Sequence, residues 1–199
     1  AKVNMKFMEA GLFAFSAIIG LVWIFSVQSI PAADSYNIYE TASQTAQGNY
    51  AFLHNGSDFY NKDFYSGFSY YNCYPFQLGF VLISEIVYRI FGTDSTMPLQ
   101  VINVLCVAAA YIGNAKITKQ IFGRNKIEFI VILALAGCIQ PVLFCTFVYG
   151  NIIGMCCAIW ASHFLIKYFQ TDKYLVLIPC GVLLVVSALA KYNNLIYLV

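Results

Sequence analysis

PAADSYNIYETASQTAQG, residues 31–48, opens a hydrophilic segment that closes with YYNCYP at residues 70–75. This segment, Pro31–Pro75, is the only long polar stretch in a chain that is otherwise almost continuously apolar. Asp34 is its first acid and follows an apolar run. A carboxylate at the boundary between a membrane helix and water is costly unless it is solvated or used. We therefore expect the rest of the chain to be a lipid-embedded frame that holds Asp34 at the membrane face.

The composition indicates an integral membrane protein. Hydrophobic residues make up 60% of the 199 residues and charged residues only 10%, whereas charged residues form roughly 25% of a soluble domain. The net charge of +2 gives no indication of a nucleic-acid partner. The seven cysteines show no C-x-x-C spacing and lie mostly in apolar runs. We expect them to be small packing residues, with neither disulfides nor a metal site.

Five apolar runs are candidate membrane spans and predict an all-α, polytopic transmembrane helical bundle. They are Phe7–Ile30, Pro98–Ile117, Ile127–Tyr149, Ile152–Tyr168 and Tyr174–Leu189. Basic residues before the first run and at 116–126 place both points in the cytoplasm by the positive-inside rule. The segment 193–199 would begin a sixth span. We therefore expect residues 1–199 to be a single transmembrane domain and the N-terminal part of a longer protein.

The polar segment 31–75 is expected to be an extracytoplasmic loop with one short helix. Aromatic and small residues recur at helical spacing in Ser35–Gln47, which predicts a helix there. Ser35 is expected to cap this helix, with Asp34 just before its start. Asp58 and Asp63 stand among asparagine, glycine, serine and lysine residues, a pattern that is typical of a solvated loop.

The segment Phe76–Phe91 is apolar enough to cross a membrane, yet its polar residues share one stripe. Within that stripe Glu85 precedes Arg89 by four positions, the order that favours an ion pair on a helix. If this segment crossed the membrane, the basic cluster at 116–126 would lie outside. We therefore predict that residues 76–92 form an amphipathic juxtamembrane helix along the outer interface.

Three charged residues are candidates for chemistry at the outer face. Asp34 is either a solvated acid that helps to end the first helix or a catalytic carboxylate. Lys191 follows about 25 Å of helical rise from Tyr174, which carries it to the same level as Asp34. It is either a lysine that snorkels to the interface or a cation for an anionic headgroup or phosphate. Arg89 is either the partner of Glu85 or a ligand.

Three stretches resemble the N-terminal half of the GT-C membrane glycosyltransferases. They are PAADSYNIYETASQTAQG, YYNCYPFQLGFVLISEIVYRIFG and SALAKYNNLIYL. The branch they resemble includes protein O-mannosyltransferases and the bacterial lipid A aminoarabinose transferases. In that branch an acid opens the first outer loop, and a Tyr-Pro-rich string leads into a juxtamembrane helix. A lysine lies just past a later span, and the resemblance covers nearly the whole chain.

The resemblance implies transfer of a sugar, with inversion, from a polyprenyl-phosphate donor to an acceptor on the outer face of a bacterial plasma membrane. It implies that Asp34 is the general base and that Lys191 or Arg89 stabilises the leaving phosphate. The expected partners are membrane lipid and the lipid-linked donor, with no nucleic acid and no cofactor, while the acceptor stays open. Many members carry further acids at the positions of Ser35 and of the turn 149–151, so the role of a metal also stays open.

The aromatic string and one further acid complete the expected substrate-binding set. Tyr70, Tyr71 and Tyr74 are expected either to stack on sugar faces or to form an aromatic belt at the interface. Glu40 is included in the set. It lies six residues after Asp34 and points away from the start of the helix, so we do not expect it to share the role of base.

Two other classes of protein compete with the enzyme. A transporter or lipid flippase that couples to ions would need ionisable residues in mid-membrane, and the apolar runs hold almost none. A non-catalytic membrane scaffold would have no need for an acid, a lysine and an aromatic loop at one depth.

Overall fold

The computed structural model describes residues 4–27, 29–51, 53, 70–92 and 94–198, and all regular secondary structure in these ranges is helical. The α-helices are α1 (Met5–Ser26), α2 (Asp34–Ala46), α3 (Tyr70–Cys73), α4 (Leu78–Phe91), α5 (Met97–Phe122), α6 (Asn125–Gly137), α7 (Gln140–Leu143), α8 (Asn151–Thr171) and α9 (Leu177–Ala190). Short 3-10 helices cover Pro75–Gln77, Phe144–Thr146, Tyr174–Val176 and Tyr192–Leu198. The predicted loop acids Asp58 and Asp63 lie outside the described residues.

Three helices, α1, α5 and α8, are long and apolar enough to cross a membrane, in keeping with an integral membrane protein. They have 22, 26 and 21 residues, and a bilayer core of about 30 Å needs about 20 helical residues. The central helix α5 packs against both α1 and α8. Large apolar side chains on the outer side of α1 stay exposed, namely Phe15, Ile18, Val22 and Phe25. Such a face suits a lipid environment.

The run Ile127–Tyr149, which was predicted to be a membrane span, does not form one continuous helix. The helix breaks after Gly137 and resumes at Gln140 with a bend of 41° between the two parts. Pro141 in the first turn of α7 has no N–H group to continue the ladder of α6. The hydroxyl of Tyr111 on α5 donates to the Cys138 carbonyl, so a carbonyl released by the break keeps a partner.

The last apolar run is shorter than a full span, and a 3-10 helix follows it. A 3-10 turn leads into α9, and together they cover Tyr174–Ala190. The segment expected to begin a sixth span is instead a 3-10 helix, Tyr192–Leu198. Lys191 lies between the two helices with an extended backbone, at φ −151° and ψ 113°. Its backbone N–H makes the last hydrogen bond of α9, to the Ser187 carbonyl, and its extended backbone ends the helix at Ala190.

The start of α2 differs from the expected capped helix. Asp34 is the first residue of the helix, and Ser35 belongs to its first turn. The Ser35 hydroxyl donates to the Ala32 carbonyl at 2.7 Å and accepts from the Ala32 N–H at 3.0 Å. This local ring closes the turn at Ala33, whose φ is +51°. Ser35 therefore braces the loop before the helix and does not cap it.

The helix α4 packs under α2 and forms the ion pair that its sequence predicts. Its buried side includes Phe80, Val81 and Tyr88, which join α2 residues in one apolar cluster. Arg89 contacts Glu85 at 2.8 Å. With 14 residues, α4 is about 21 Å long, too short for an upright span, and Gly92 ends it in the left-handed conformation. Its orientation along the interface stays a prediction.

Candidate functional site

Tyr149 joins the two charged residues that the sequence places at one level. Its hydroxyl donates to Oδ2 of Asp34 at 3.1 Å. The Nζ atom of Lys191 lies 3.6 Å from the centre of the same ring. An ammonium at this distance from an aromatic face makes a cation–π interaction. The acid at the start of α2 and the lysine after α9 thus meet on one side chain.

Close backbone packing brings Lys191 to this position. Gly150 has φ +77°, and a Cβ atom there would overlap the Ala190 carbonyl. Gly79 on α4 approaches the Leu189 carbonyl in the same way. Gly154 on α8 leaves room for the side chain of Asn194. Because glycines of α4 and of the start of α8 pack against the end of α9 and the residues after it, Lys191 has a fixed place.

Two further polar side chains, Gln77 and Tyr70, lie close to the contact between Tyr149 and Asp34. Gln77, which is buried, donates from Nε2 to the Tyr149 hydroxyl. A chain of hydrogen bonds therefore runs from Gln77 through Tyr149 to Asp34. The Tyr70 side chain is also buried beside this acid. Burial, followed by the charge of Asp34, raises the pKa of Tyr70 above its ordinary value, so this phenol stays neutral next to the carboxylate.

Lys191 is half-buried, and two opposing effects act on its charge. Burial lowers the pKa of Lys191 below the ordinary lysine value, while the nearby charge of Asp34 acts in the opposite direction. The ion pairs formed within the described residues are Glu85–Arg89, Glu9–Lys116 and Glu128–Lys119. Lys191 and Asp34 therefore influence each other without direct contact.

An apolar groove of about 380 Å³ opens beside Lys191. It runs between the start of α4 and the last turns of α9, and it is lined by Pro75, Phe76, Gly79, Val185, Ala188, Leu189 and Tyr192. The rings of Phe76 and Tyr192 are 5.7 Å apart across it. Leu189 and Tyr192 flank Lys191 in the sequence. The backbone of Lys191 thus follows the end of α9 that lines the groove, while its ammonium lies on the Tyr149 ring.

Comparison with protein-family models, curated proteins and solved structures gives no match to this chain. The function is therefore argued from the geometry of this site. Within the described residues there is no group of three or more histidine, cysteine, aspartate or glutamate side chains that could hold a metal ion.

Arg89, the other cation expected at the site, lies at the far end of α2. Its Nη2 donates to the Thr45 carbonyl at 2.7 Å and to the Tyr50 hydroxyl at 2.9 Å. Thr45 is about 16 Å from Asp34 along the helix axis. A phosphate held beside Asp34 and Lys191 is out of reach of this guanidinium. Arg89 therefore ties α4 to the end of α2, and its expected role at the leaving phosphate does not fit this geometry.

The aromatic string packs around α2, and only part of it could contact a sugar. Tyr70 and Tyr71 are 2% and 4% exposed, and their rings meet edge to face at 5.0 Å. Neither ring offers a free face, so their expected stacking on a sugar does not fit this arrangement. Tyr74 is half-buried between Tyr70 and Phe76. A stacking role stays a prediction for Tyr74 alone.

Glu40 lies away from the contact between Asp34 and Tyr149. Its charge raises the pKa of Tyr36, one helical turn earlier on α2. It also contributes to the raised pKa of Tyr71, for which burial is the main cause. Glu40 thus lies near tyrosines that pack along α2, and its role at the site stays a prediction.

The sequence reasoning missed Gln77 and Tyr149 as members of the site. Gln77 was part of the polar stripe that predicted the juxtamembrane helix, but its partner lies 72 residues later. Tyr149 was noted only as part of a turn without an acid. A polar aromatic residue directly before a glycine at the outer end of a span was the signal in the sequence.

Proposed function

We propose that this protein is a membrane glycosyltransferase that moves a sugar from a polyprenyl-phosphate donor to an acceptor on the outer face of the membrane. One observation carries the proposal. A carboxylate and an ammonium share a single tyrosine, and the end of α9 that leads to the lysine also lines an apolar groove. A lipid-linked sugar phosphate needs these three features together, for its acceptor, its phosphate and its lipid chain.

Asp34 is suited to the role of general base. An acceptor hydroxyl must lose its proton as its oxygen attacks the anomeric carbon, and a positioned carboxylate can accept that proton. The new C–O bond forms as the bond from the anomeric carbon to the phosphate oxygen breaks. One such displacement inverts the configuration at the anomeric carbon. The hydroxyl of Tyr149 donates to Asp34 and orients its carboxylate.

Lys191 is suited to the leaving group. The polyprenyl phosphate gains negative charge as it departs, and a fixed cation stabilises that charge most where water is scarce. Lys191 is half-buried, so its ammonium is partly shielded from water. The groove lined by the end of α9 has a volume of about 380 Å³, room for part of an isoprenoid chain, and its lining is almost entirely apolar.

The bundle suggests where this chemistry takes place. α1 and α9 end, and α5 and α8 begin, on the side of the bundle that carries α2 and α4. The basic residues at 116–126 lie at the opposite ends of α5 and α6. By the positive-inside rule these basic ends face the cytoplasm. We propose on this basis that the site faces the outside of the membrane, and the resemblance adds the proposal that this is a bacterial plasma membrane.

The experiment is a donor-consumption assay with the full protein in lipid nanodiscs. Polyprenyl phosphates that carry different labelled sugars are incubated with a cell-envelope fraction as the source of acceptor. We expect release of free polyprenyl phosphate and transfer of label from at least one donor, and neither with Asp34→Asn. If no donor in the panel binds or is consumed by the wild-type protein, the proposed function is wrong.

A further inference from the structure

An aspartate and a lysine that are this close in a half-buried site would ordinarily form a direct ion pair. The attraction between opposite charges grows as water is excluded, and Asp34 is near enough to act on the charge of Lys191. Each group would then satisfy the other. A base whose charge is neutralised and a cation that is already occupied are both poorly suited to catalysis. The two groups are nevertheless not in contact.

Tyr149 lies between them and uses different parts of its side chain for each. The hydroxyl at the edge of the ring donates to Asp34, and the face of the ring carries the Lys191 ammonium. A phenol is one of few side chains with both a donor and an electron-rich face. The aspartate therefore has the Tyr149 hydroxyl as a hydrogen-bond donor, and the lysine has the electron-rich face of the same ring. Both groups are satisfied without a direct ion pair.

The position of Tyr149 is itself fixed from several sides. Gln77 donates to its hydroxyl, and the ring of Phe147 lies 5.6 Å away. The segment before it is held by Asn103, a buried α5 residue that donates to the carbonyls of Cys145 and Phe147. Gly150 follows directly and presses against Ala190. A ring restrained in this way can serve as a spacer.

We infer that Tyr149 is a positioning residue that keeps Asp34 and Lys191 apart while holding both in place. The inference rests on the proposed function for its purpose, since separation keeps the carboxylate available to an acceptor and the ammonium available to a phosphate. The cation–π contact is also easy to exchange. An incoming phosphate makes a stronger charge-assisted hydrogen bond with the ammonium than the ring does.

The test measures the charge of Lys191 directly. Lysines of the full protein are dimethylated with ¹³C and titrated by NMR, and the Lys191 signal is identified by its loss in Lys191→Met. Among the described residues, the titratable groups shown to act on Lys191 are Asp34, through its charge, and Tyr149, through its ring. In Tyr149→Leu the lysine can reach Asp34, so its apparent pKa should rise by about one pH unit or more. In Tyr149→Phe the ring remains, and the pKa should stay low.

Two controls separate a new ion pair from a general opening of the site. The double variant Asp34→Asn/Tyr149→Leu lacks the acid, and we expect most of the rise to disappear. Phe144→Leu removes a neighbouring ring in the same turn without touching either charge, and it should titrate like the wild type. An unchanged Lys191 in Tyr149→Leu, or a rise that survives Asp34→Asn, would overturn the inference.

Binding of polyprenyl phosphate supplies a second readout. Tyr149→Phe preserves the packing of the site and should bind polyprenyl phosphate as the wild type does, whereas its turnover should fall. If Tyr149→Phe lowers the affinity as much as Lys191→Met, the ring is not what holds the lysine. A wild-type protein that does not bind this lipid refutes the proposed function, but the NMR titration still decides the role of Tyr149.

Discussion

The backbone of Gly150 lies so close to the carbonyl of Ala190 that a side chain on residue 150 would overlap the carbonyl oxygen. Gly150 directly follows Tyr149, and Ala190 directly precedes Lys191, so each contact residue is next to a member of the site. Their contact therefore sets the distance between an aromatic ring and an ammonium that are 42 residues apart in the sequence.

Replacing Gly150 by alanine should disturb the site and the fold together. The left-handed backbone at φ +77° disfavours an L-residue by about 1–2 kcal/mol, and the overlap with Ala190 adds to this. We expect a lower midpoint of thermal unfolding in detergent and weaker binding of polyprenyl phosphate. Gly181→Ala in α9 is the matched control, because a Cβ there meets open space. If the two variants had the same unfolding midpoint and the same affinity, the contact between Gly150 and Ala190 would not fix the site.

Replacing Lys191 by methionine should weaken binding of polyprenyl phosphate and leave the protein folded. A hydrogen bond to a charged group contributes about 1.5–3 kcal/mol, so we expect a loss of about 10-fold or more in affinity. Only the protonated lysine holds a phosphate, and the pKa of Lys191 is lowered. Wild-type binding should therefore decline with rising pH below the ordinary lysine pKa.

The pH dependence of polyprenyl-phosphate binding is then compared between the wild type and two lysine variants. Binding by Lys191→Met should lack this decline, and Lys126→Met, on the opposite side of the bundle, should bind as the wild type does. Unchanged affinity in Lys191→Met would remove the lysine from the phosphate site.

Arg89 should affect stability and not donor binding. It contacts Glu85, the Thr45 carbonyl and the Tyr50 hydroxyl, all remote from Asp34. We expect Arg89→Met to lower the midpoint of thermal unfolding only modestly, because the ion pair with Glu85 is largely exposed to water. Its affinity for polyprenyl phosphate should equal that of the wild type. A loss of affinity as large as that in Lys191→Met would restore Arg89 to the substrate-binding set.

The two sides of the bundle should be labelled from opposite sides of the membrane. Single cysteines at Asn49 and Asp94, in a background with Cys73→Ser, should react with an impermeant maleimide added to intact cells. A cysteine at Lys126 should react only after the cells are opened. The reason is the basic cluster at 116–126, which favours the cytoplasm. If Asn49 and Asp94 label from different sides, α4 crosses the membrane and the outer placement of the site is wrong.

Much of the fold follows from local patterns in the sequence. Apolar length predicted α1, α5 and α8, and the spacing of Glu85 and Arg89 predicted both a helix and an ion pair. The break between Gly137 and Gln140 was not predicted, because a continuous apolar run gives no sign of where the helical hydrogen bonds are interrupted. Ser35 looked like a cap from residue type alone, whereas its hydroxyl bonds back to Ala32.

The site could be predicted only in part, because its members come from four separate segments. Asp34 and Lys191 could be paired from the rise of a helix, which depends on length alone. The roles of Gln77 and Tyr149 depend on the crossing of α4 and α9 at Gly79, a tertiary contact that no local pattern encodes. Arg89 was assigned to the site for its charge, and the position of its partners on α2 corrects that assignment.

The most direct test of the account is the turnover of Asp34→Asn at saturating donor. The asparagine keeps the shape of the side chain and an acceptor for Tyr149 but cannot take up the proton. With the full protein in nanodiscs and a polyprenyl-phosphate sugar, we expect turnover to fall by about 10²-fold or more, with donor affinity nearly unchanged. Glu40→Gln, on the same helix, should turn over normally. Full turnover in Asp34→Asn, or a loss confined to donor affinity, would contradict the central claim that Asp34 is the base.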